Sequence, residues 1–418
     1  MKLLKPSLIA LSLIASGSAF AASVAIKNAT IYTSSDKGLL ENASVVFENG
    51  KITAVNPANL AADTIIDAKG KVVTPGIISA MNQIGLVEVG AVSTTRDASP
   101  KKAEMTFDPS YAFNSDSSLI PFARKGGITS SVVAPHSWGG TFMGQAFTVA
   151  MNSELESIID TKVAAVASFG AASKDSRASS LIALIDKLKG QKKKLADAAE
   201  KSADDKSDKK DKKAKEPSDE ETLLTALLNG EKPLVAKASR TSDILHLINI
   251  KKDYGVNVVI AGAKDAIKVK QQLADANVPV LISVVDNLPG NFDSLNAGLT
   301  TAGELEQAGV KVILFNSDSH LINNLRLDAG NAVSYGMTNV GAIEAMTVNV
   351  AQAFNMDTGT IKVGSSADIV LWSGDPLEIS SKVETMWING SQVSTESRQD
   401  ALRKRYTSKE NKPRGYIK

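Results

Sequence analysis

Cysteine is absent from the 418 residues, and histidine is nearly so, with only His136, His246 and His320. The first absence excludes disulfide scaffolds, thiolate-bound zinc, iron–sulfur clusters and thiol nucleophiles. The second leaves few imidazoles for metal or proton chemistry. A dominant charge is missing too: 47 Lys and Arg stand against 45 Asp and Glu, a formal +2. No field is left to gather a polyanion, so nucleic acid is not a partner this chain predicts. There is no G-x-S-x-G elbow, no His-Glu-x-x-His helix and no P-loop sequence, which removes serine-hydrolase, zincin and nucleotide-hydrolase readings. What remains is a chain of 43% hydrophobic residues with 29 glycines, an ordinary composition for a large buried core. Its length fits one domain of roughly 250 residues plus a smaller one.

The chain opens with Lys2 and Lys5, an apolar run from Leu8 to Ile14, and Ala19-Phe20-Ala21. That order predicts a secretory signal peptide over 1–22 and a periplasmic location. The apolar run is well short of the ~20 residues that span a bilayer, and no later segment is long and apolar enough, so no membrane span is expected. Short β-rich runs follow at 24–26, 31–32, 44–47 and 51–55, with Asn49-Gly50 as a hairpin turn between the last two. From residue 76 to about 355 apolar runs alternate with amphipathic stretches, which predicts a parallel sheet wound by helical crossovers. Strands are expected at 129–134, 163–168, 234–236, 256–260, 278–284 and 310–315. Helices are expected at 241–254, 264–276, 324–335 and 340–354. β-rich runs return at 367–372 and 385–388, closed by Asn389-Gly390. Between 192 and 221 lie ten Lys and ten Asp or Glu, a composition that buries no core and reads as a charged low-complexity insertion. Without it the central unit has about the size of an eight-stranded α/β barrel. The basic stretch 396–418 reads as a solvated tail.

Two segments flank that unit. Asp67-Ala68-Lys69-Gly70-Lys71-Val72-Val73-Thr74-Pro75-Gly76-Ile77-Ile78-Ser79-Ala80 resembles the passage by which amidohydrolase-superfamily chains enter their first barrel strand. Residues 359–377, with Ser366-Ala367-Asp368-Ile369-Val370 at their centre, resemble that family's return from the barrel. Ala342-Ile343-Glu344-Ala345-Met346-Thr347-Val348-Asn349-Val350-Ala351 is similar to the last barrel helix, and 309–318 to the eighth strand. The likeness covers nearly all of 24–393 and is nearest to the imidazolonepropionase-like branch. It implies an α/β fold, a distorted TIM (β/α)8 barrel over 76–355, with a small β-sandwich built from 23–75 and 356–395. The chemistry it implies is a metal-bound hydroxide attacking a non-peptide carbon–nitrogen bond.

The implied metal ligands do not match. The family's first-strand His-x-His pair falls on Met81 and Gln83. Its fifth-strand histidine falls within 235–240, where Lys237 is the one residue able to ligate, and only if deprotonated or carboxylated. Its sixth-strand histidine falls within 259–263, near Gly262. The family zinc, or any other divalent cofactor, is therefore not expected, and the chain reads as a subgroup lacking the metal-binding histidines. Asp318, after the eighth strand, matches the family's aspartate that binds metal and shuttles the proton of the attacking water. It reads equally well as a helix cap or loop anchor. His320 lies two residues on. His136 follows an expected strand end and precedes Trp138, Gly139, Gly140 and Gly144, a segment that reads as a pocket lining. Glu88 and Asp286 are further carboxylates expected at the mouth, and His246 reads as a surface residue. Asp318, His320 and His136 are the catalytic candidates, with Asp318 a ligand only if metal binds. Two functions follow from these residues. One is a C–N hydrolase working through a rebuilt site on a small molecule. The other is a non-catalytic binding protein, alone, as a homodimer, or as the silent partner of an active relative.

Overall fold

The computed structural model describes residues 22–136, 139–170, 173, 175–204 and 216–408, the side chains of 201–204 excepted. The signal segment up to residue 21, Trp138 and the end of the basic tail from 409 lie outside the described residues. In chain order the strands are β1 (Val24–Tyr32), β2 (Leu39–Glu48), β3 (Lys51–Val55), β4 (Thr64–Asp67) and β5 (Val72–Pro75), then β6 (Ile77–Asn82), β7 (Ile128–Val133), β8 (Phe142–Ala150), β9 (Ile158–Ser168), β10 (Leu234–Ala238), β11 (Val258–Gly262), β12 (Val280–Ile282) and β13 (Val312–Leu314), and finally β14 (Ile369–Trp372), β15 (Val383–Ile388) and β16 (Ser391–Val393).

The first five and last three form one sheet in the order β16-β15-β14-β5-β1-β2-β3, with β4 beside β1. Asn49-Gly50 and Asn389-Gly390 both take the positive φ values of primed turns, and so join β2 to β3 and β15 to β16. The two hairpin tips touch: a Cβ on Gly50 would lie 2.5 Å from Asn389 Oδ1. In place of two hydrogen-bonded layers, the structure shows a single sheet that curls over its own core. Phe47 on β2 meets Trp387 on β15 edge-on at 5.4 Å, although three strands separate them in the ladder.

The other sheet runs β13-β12-β11-β10-β9-β8-β7-β6. It is parallel except at β8, which is antiparallel to both neighbours. It curls in the manner of a distorted (β/α)8 barrel, with helices such as Thr241–Tyr254 packed outside through Ile244, Leu247 and Ile248. Between β13 and β6 the ladder is closed by irregular chain. Leu314 N–H donates to Ala345 O at 3.0 Å, and Ile78 N–H donates to Met346 O at 2.8 Å. The helix expected over 340–354 is broken for this reason into Asn339–Glu344 and Val348–Ala353, with Thr347 in a non-helical conformation between them. The charged insertion begins inside a long helix, Arg177–Asp204, and ends in a second, Asp219–Leu228, capped by the reciprocal Ser218–Glu221 pair. Lys194 bonds Glu221 at 2.7 Å and Gln191 bonds Thr225 at 3.0 Å, so the two helices lie side by side. Residues 205–215 lie outside the described set.

Alternation along the strands decides what faces the barrel interior. The interior cluster takes Ile78 and Ala80 from β6, Val132 from β7, Val235 from β10, Val259 and Ala261 from β11, and Ile313 from β13. Leu234, Ala236 and Ala238 of β10 pack outward against the helices. Lys237, two residues beyond Val235, therefore belongs to the interior face at the C-terminal end of its strand.

Candidate functional site

At those strand ends lies a cavity of about 440 Å³, lined by Met81, Phe169, Lys237, Ser239, Lys264, Asp293, Phe315 and Ser317 among others. The C-terminal face is where barrel folds gather reacting groups, because the following loops converge there. Met81 reaches the lining through a left-handed conformation, φ 58°, within an irregularity of β6, a strained geometry of the kind met at functional positions. Beneath it Ser79, Ser131 and Asn82 bond one another at 2.9–3.1 Å, so the strand end is rigid. Met81, Phe169 and Phe315 make apolar walls.

Lys237 is partly accessible, and what it reaches is the cavity. Its ammonium has neither an ion pair nor a hydrogen-bond partner among the described residues. Enclosure by protein holds the amine below the usual lysine range. The lining carboxylate, Asp293, is already engaged: Arg177 Nη2 bonds it at 2.5 Å, and Arg177 Nη1 bonds Asp243. Burial, the largest influence, pushes the Asp243 carboxyl upward. Lys264 also lines the cavity, with exposed Asp286 3.9 Å away.

Asp318 and His320 are brought together on the loop after β13, just past the lining residue Ser317. Asp318 Oδ1 accepts from the His320 backbone N–H at 2.9 Å and lies 3.3 Å from Nδ1. His320 Nε2 lies 3.0 Å from Glu88 O. Both ring nitrogens thus face acceptors, and the imidazole ties this loop to the one after β6. Gln83 N–H donates to Ser319 Oγ at 3.1 Å across the same gap, while Gln83 Nε2 is buried without a partner. Glu88 Oε1 accepts from Asn114 at 3.2 Å. The His136 backbone N–H donates to Ala98 O at 3.3 Å, and neither His136 nor Asp318 nor His320 is among the residues that line the cavity. Gly139 and Gly140 precede β8 and Gly144 lies within it; a Cβ on Gly144 would fall 2.6 Å from Phe107 O, so this glycine serves chain packing. His246 is exposed on its helix.

The donors at the positions implied for a metal do not fit a divalent ion. They are a thioether, an amide, an ammonium group and a glycine, whereas zinc takes imidazole, thiolate or carboxylate. Among the described residues no three His, Asp or Glu side chains converge. At Gly262 the backbone itself disfavours a ligand side chain: φ is 92°, and a Cβ would lie 3.2 Å from Ser239 Oγ. Sequence reasoning named Lys237 only as a poor ligand. Its inward placement was readable from the apolar alternation of 234–238, but Phe169 and Asp293 as lining residues left no signal in the sequence.

Comparison with known proteins agrees with this architecture. The amidohydrolase family model matches residues 243–395. A 5'-deoxyadenosine deaminase of Methanosarcina acetivorans is 50% identical over 58 residues, covering 13% of each chain. An imidazolonepropionase of Geobacillus kaustophilus is 51% identical over 53 residues, covering 10% of this chain and 12% of its own. The chain thus matches only about an eighth of the length of these curated relatives. An amidohydrolase from Thermotoga maritima MSB8 superposes with a TM-score of 0.77 at 24% identity, covering 88% of this chain and 99% of that one. Molinate hydrolase gives a TM-score of 0.52 at 15% identity over 90% of this chain and 95% of its own. Residues 243–395 therefore carry the amidohydrolase-family pattern, within a fold that the chain shares over most of its length with a solved amidohydrolase.

Proposed function

We propose that the chain is an exported, amidohydrolase-like hydrolase of non-peptide carbon–nitrogen bonds, from a subgroup in which the metal-binding histidines have been replaced. The observation that carries the reading is the cavity itself, set at the C-terminal strand ends between Met81, Lys237 and Ser317. The two curated relatives named above are a deaminase and an imidazolonepropionase, which supports a small cyclic or heteroaromatic C–N substrate. In this reading Asp318 takes the proton of the attacking water. Its Oδ1 is held by the His320 backbone, while Oδ2 has no partner among the described residues and is free to accept. His320 positions Asp318 and ties its loop to Glu88 O. No step is routed through a metal, because the donor set does not fit one.

The test is turnover of cyclic amides, N-acyl amino acids and 5'-deoxyadenosine by the exported chain, with bound zinc measured on the same sample. The expected outcome is metal-independent turnover that Asp318→Asn lowers about a hundredfold, the usual scale for a general base. Turnover that survives Asp318→Asn removes that residue from the role. A second reading, a non-catalytic binding protein or silent partner, is favoured by the same replacements at Met81, Gln83, Lys237 and Gly262. Ligand binding with no turnover across the panel selects it.

A further inference from the structure

Lys237 has no part in the hydrolytic reading, yet it is the group on which the cavity converges. The strand alternation aims it inward, above Val235. Met81, Phe169 and Phe315 line the same cavity as apolar walls. Among the described residues no carboxylate pairs with it: Asp293, the carboxylate of the lining, is bound by Arg177. An amine so placed, lining the cavity with no partner among the described residues, acts as a nucleophile once it gives up its proton, a loss that enclosure eases. Lys264 is a second cation on the same lining, held among the described residues by one 3.9 Å contact to an exposed carboxylate, and so is available to a ligand anion.

We infer that Lys237 captures a carbonyl ligand as an imine, and that the ligand is a 2-oxo acid bearing an apolar side chain. This rests on the proposal above only in taking the same cavity as the ligand site. The carboxylate pairs with Lys264 and the side chain lies against Phe169 and Phe315. The Lys237 nitrogen lone pair attacks the keto carbon as the C=O electron pair moves to oxygen. Two protons pass from nitrogen to that oxygen, and the C–O bond breaks to release one water. The product is C=N, with no oxidant or reductant consumed, and hydrolysis returns the ligand. Ser239 and Ser317 line the same cavity, and in this proposal their hydroxyls relay those protons.

The experiment incubates the full exported chain with phenylpyruvate, adds cyanoborohydride as hydride donor to fix C=N as a secondary amine, and maps the adduct by intact mass and peptide mass spectrometry. One adduct per chain, on Lys237, is expected. It should disappear in both Lys237→Arg and Lys237→Met. Lys264→Met should lower the phenylpyruvate yield roughly tenfold, the worth of one charge-assisted pairing, and leave phenylacetaldehyde labelling unchanged. No adduct in the wild type, or labels scattered over surface lysines that persist in Lys237→Arg, would overturn the inference. The two proposals separate cleanly: an adduct at Lys237 without hydrolysis of the C–N panel removes the hydrolase reading alone, and hydrolysis without an adduct removes this one alone.

Discussion

Two enclosed cations in this molecule are treated in opposite ways. Arg326 lies in the joint between the barrel and the curled end sheet, where its guanidinium donates to Pro376 O at 2.8 Å, Glu378 O at 2.7 Å and Ser381 O at 2.9 Å and sits 5.6 Å from the Trp372 ring. Trp372 is fully buried and donates to Thr74 Oγ1 at 2.9 Å. Three of the five guanidinium N–H groups thus have carbonyl acceptors fixed by the fold. Lys237 at the mouth has none among the described residues, in a lining of apolar side chains, hydroxyls, a second cation and a carboxylate already paired with Arg177. Unpartnered buried polar atoms also occur away from the cavity, Arg124 Nε among them, so what sets Lys237 apart is that its unpartnered charge lines a cavity where a ligand can complete the set. Desolvation pushes both groups in the same direction, below their usual range. What separates them is the set of partners.

That contrast is broken most sharply at the joint. Arg326→Met orphans the buried carbonyls of Pro376 and Ser381 and the part-buried one of Glu378 and removes the cation from the Trp372 ring, so unfolding in urea should show a loss of about 3 kcal/mol. A loss below a tenth of that would show that the three carbonyls find other donors and that the joint is not held there. The same substitution at Lys237 should act with the opposite sign. Lys237→Met replaces an unpartnered amine with a side chain of similar length that matches the apolar walls, and a gain of roughly 1 kcal/mol is expected. A comparable loss at both sites would mean that Lys237 is bonded in solution, and the distinction between them would fall.

Much of the frame was legible, and its failures are local. The runs at 234–236, 256–260 and 310–315 are strands within two or three residues, because a parallel barrel strand is apolar on both faces and needs no long-range information to be read. The primed Asn-Gly turns were likewise local. Strand β8 escaped because Gly139, Gly140 and Gly144 read as loop chemistry. In the fold Gly144 is a strand residue whose missing Cβ lets Phe107 approach, and that approach depends on a segment distant in sequence. The broken helix over 340–354 has the same cause. Its propensity is helical throughout, but Ala345 and Met346 are needed to close the barrel against Leu314 and Ile78. Of the mouth, the chain order supplied Asp318 and His320 as neighbours on one loop. It did not supply the Arg177–Asp293 pair, which joins residues more than a hundred positions apart and engages the carboxylate of the cavity lining.

The smallest effects expected are in the pH dependence of stability, and they sharpen the same contrast. Asp368 lies in the joint with its carboxylate accepting from Thr358 Oγ1 at 2.5 Å and Asn389 N–H at 2.7 Å. Burial outweighs these bonds and raises its pKa. The folded chain therefore binds a proton more tightly than the unfolded chain does, and stability falls as pH climbs from the ordinary aspartate range through the raised value. Lys237 has a lowered pKa, so the unfolded chain holds the proton more tightly and stability climbs with pH from the lowered value up to the ordinary lysine range. Asp368 adds a downward slope to the urea midpoints on the acid side, opposed there by the lowered carboxyls of Asp63, Asp67, Glu221 and Asp400, and Lys237 adds an upward slope on the alkaline side. Asp368→Asn removes the first contribution and Lys237→Met the second, each leaving the other in place. An alkaline slope that persists in Lys237→Met would assign it to another group, such as Lys251, whose pKa is also lowered by burial, and would leave the cavity amine an ordinary lysine.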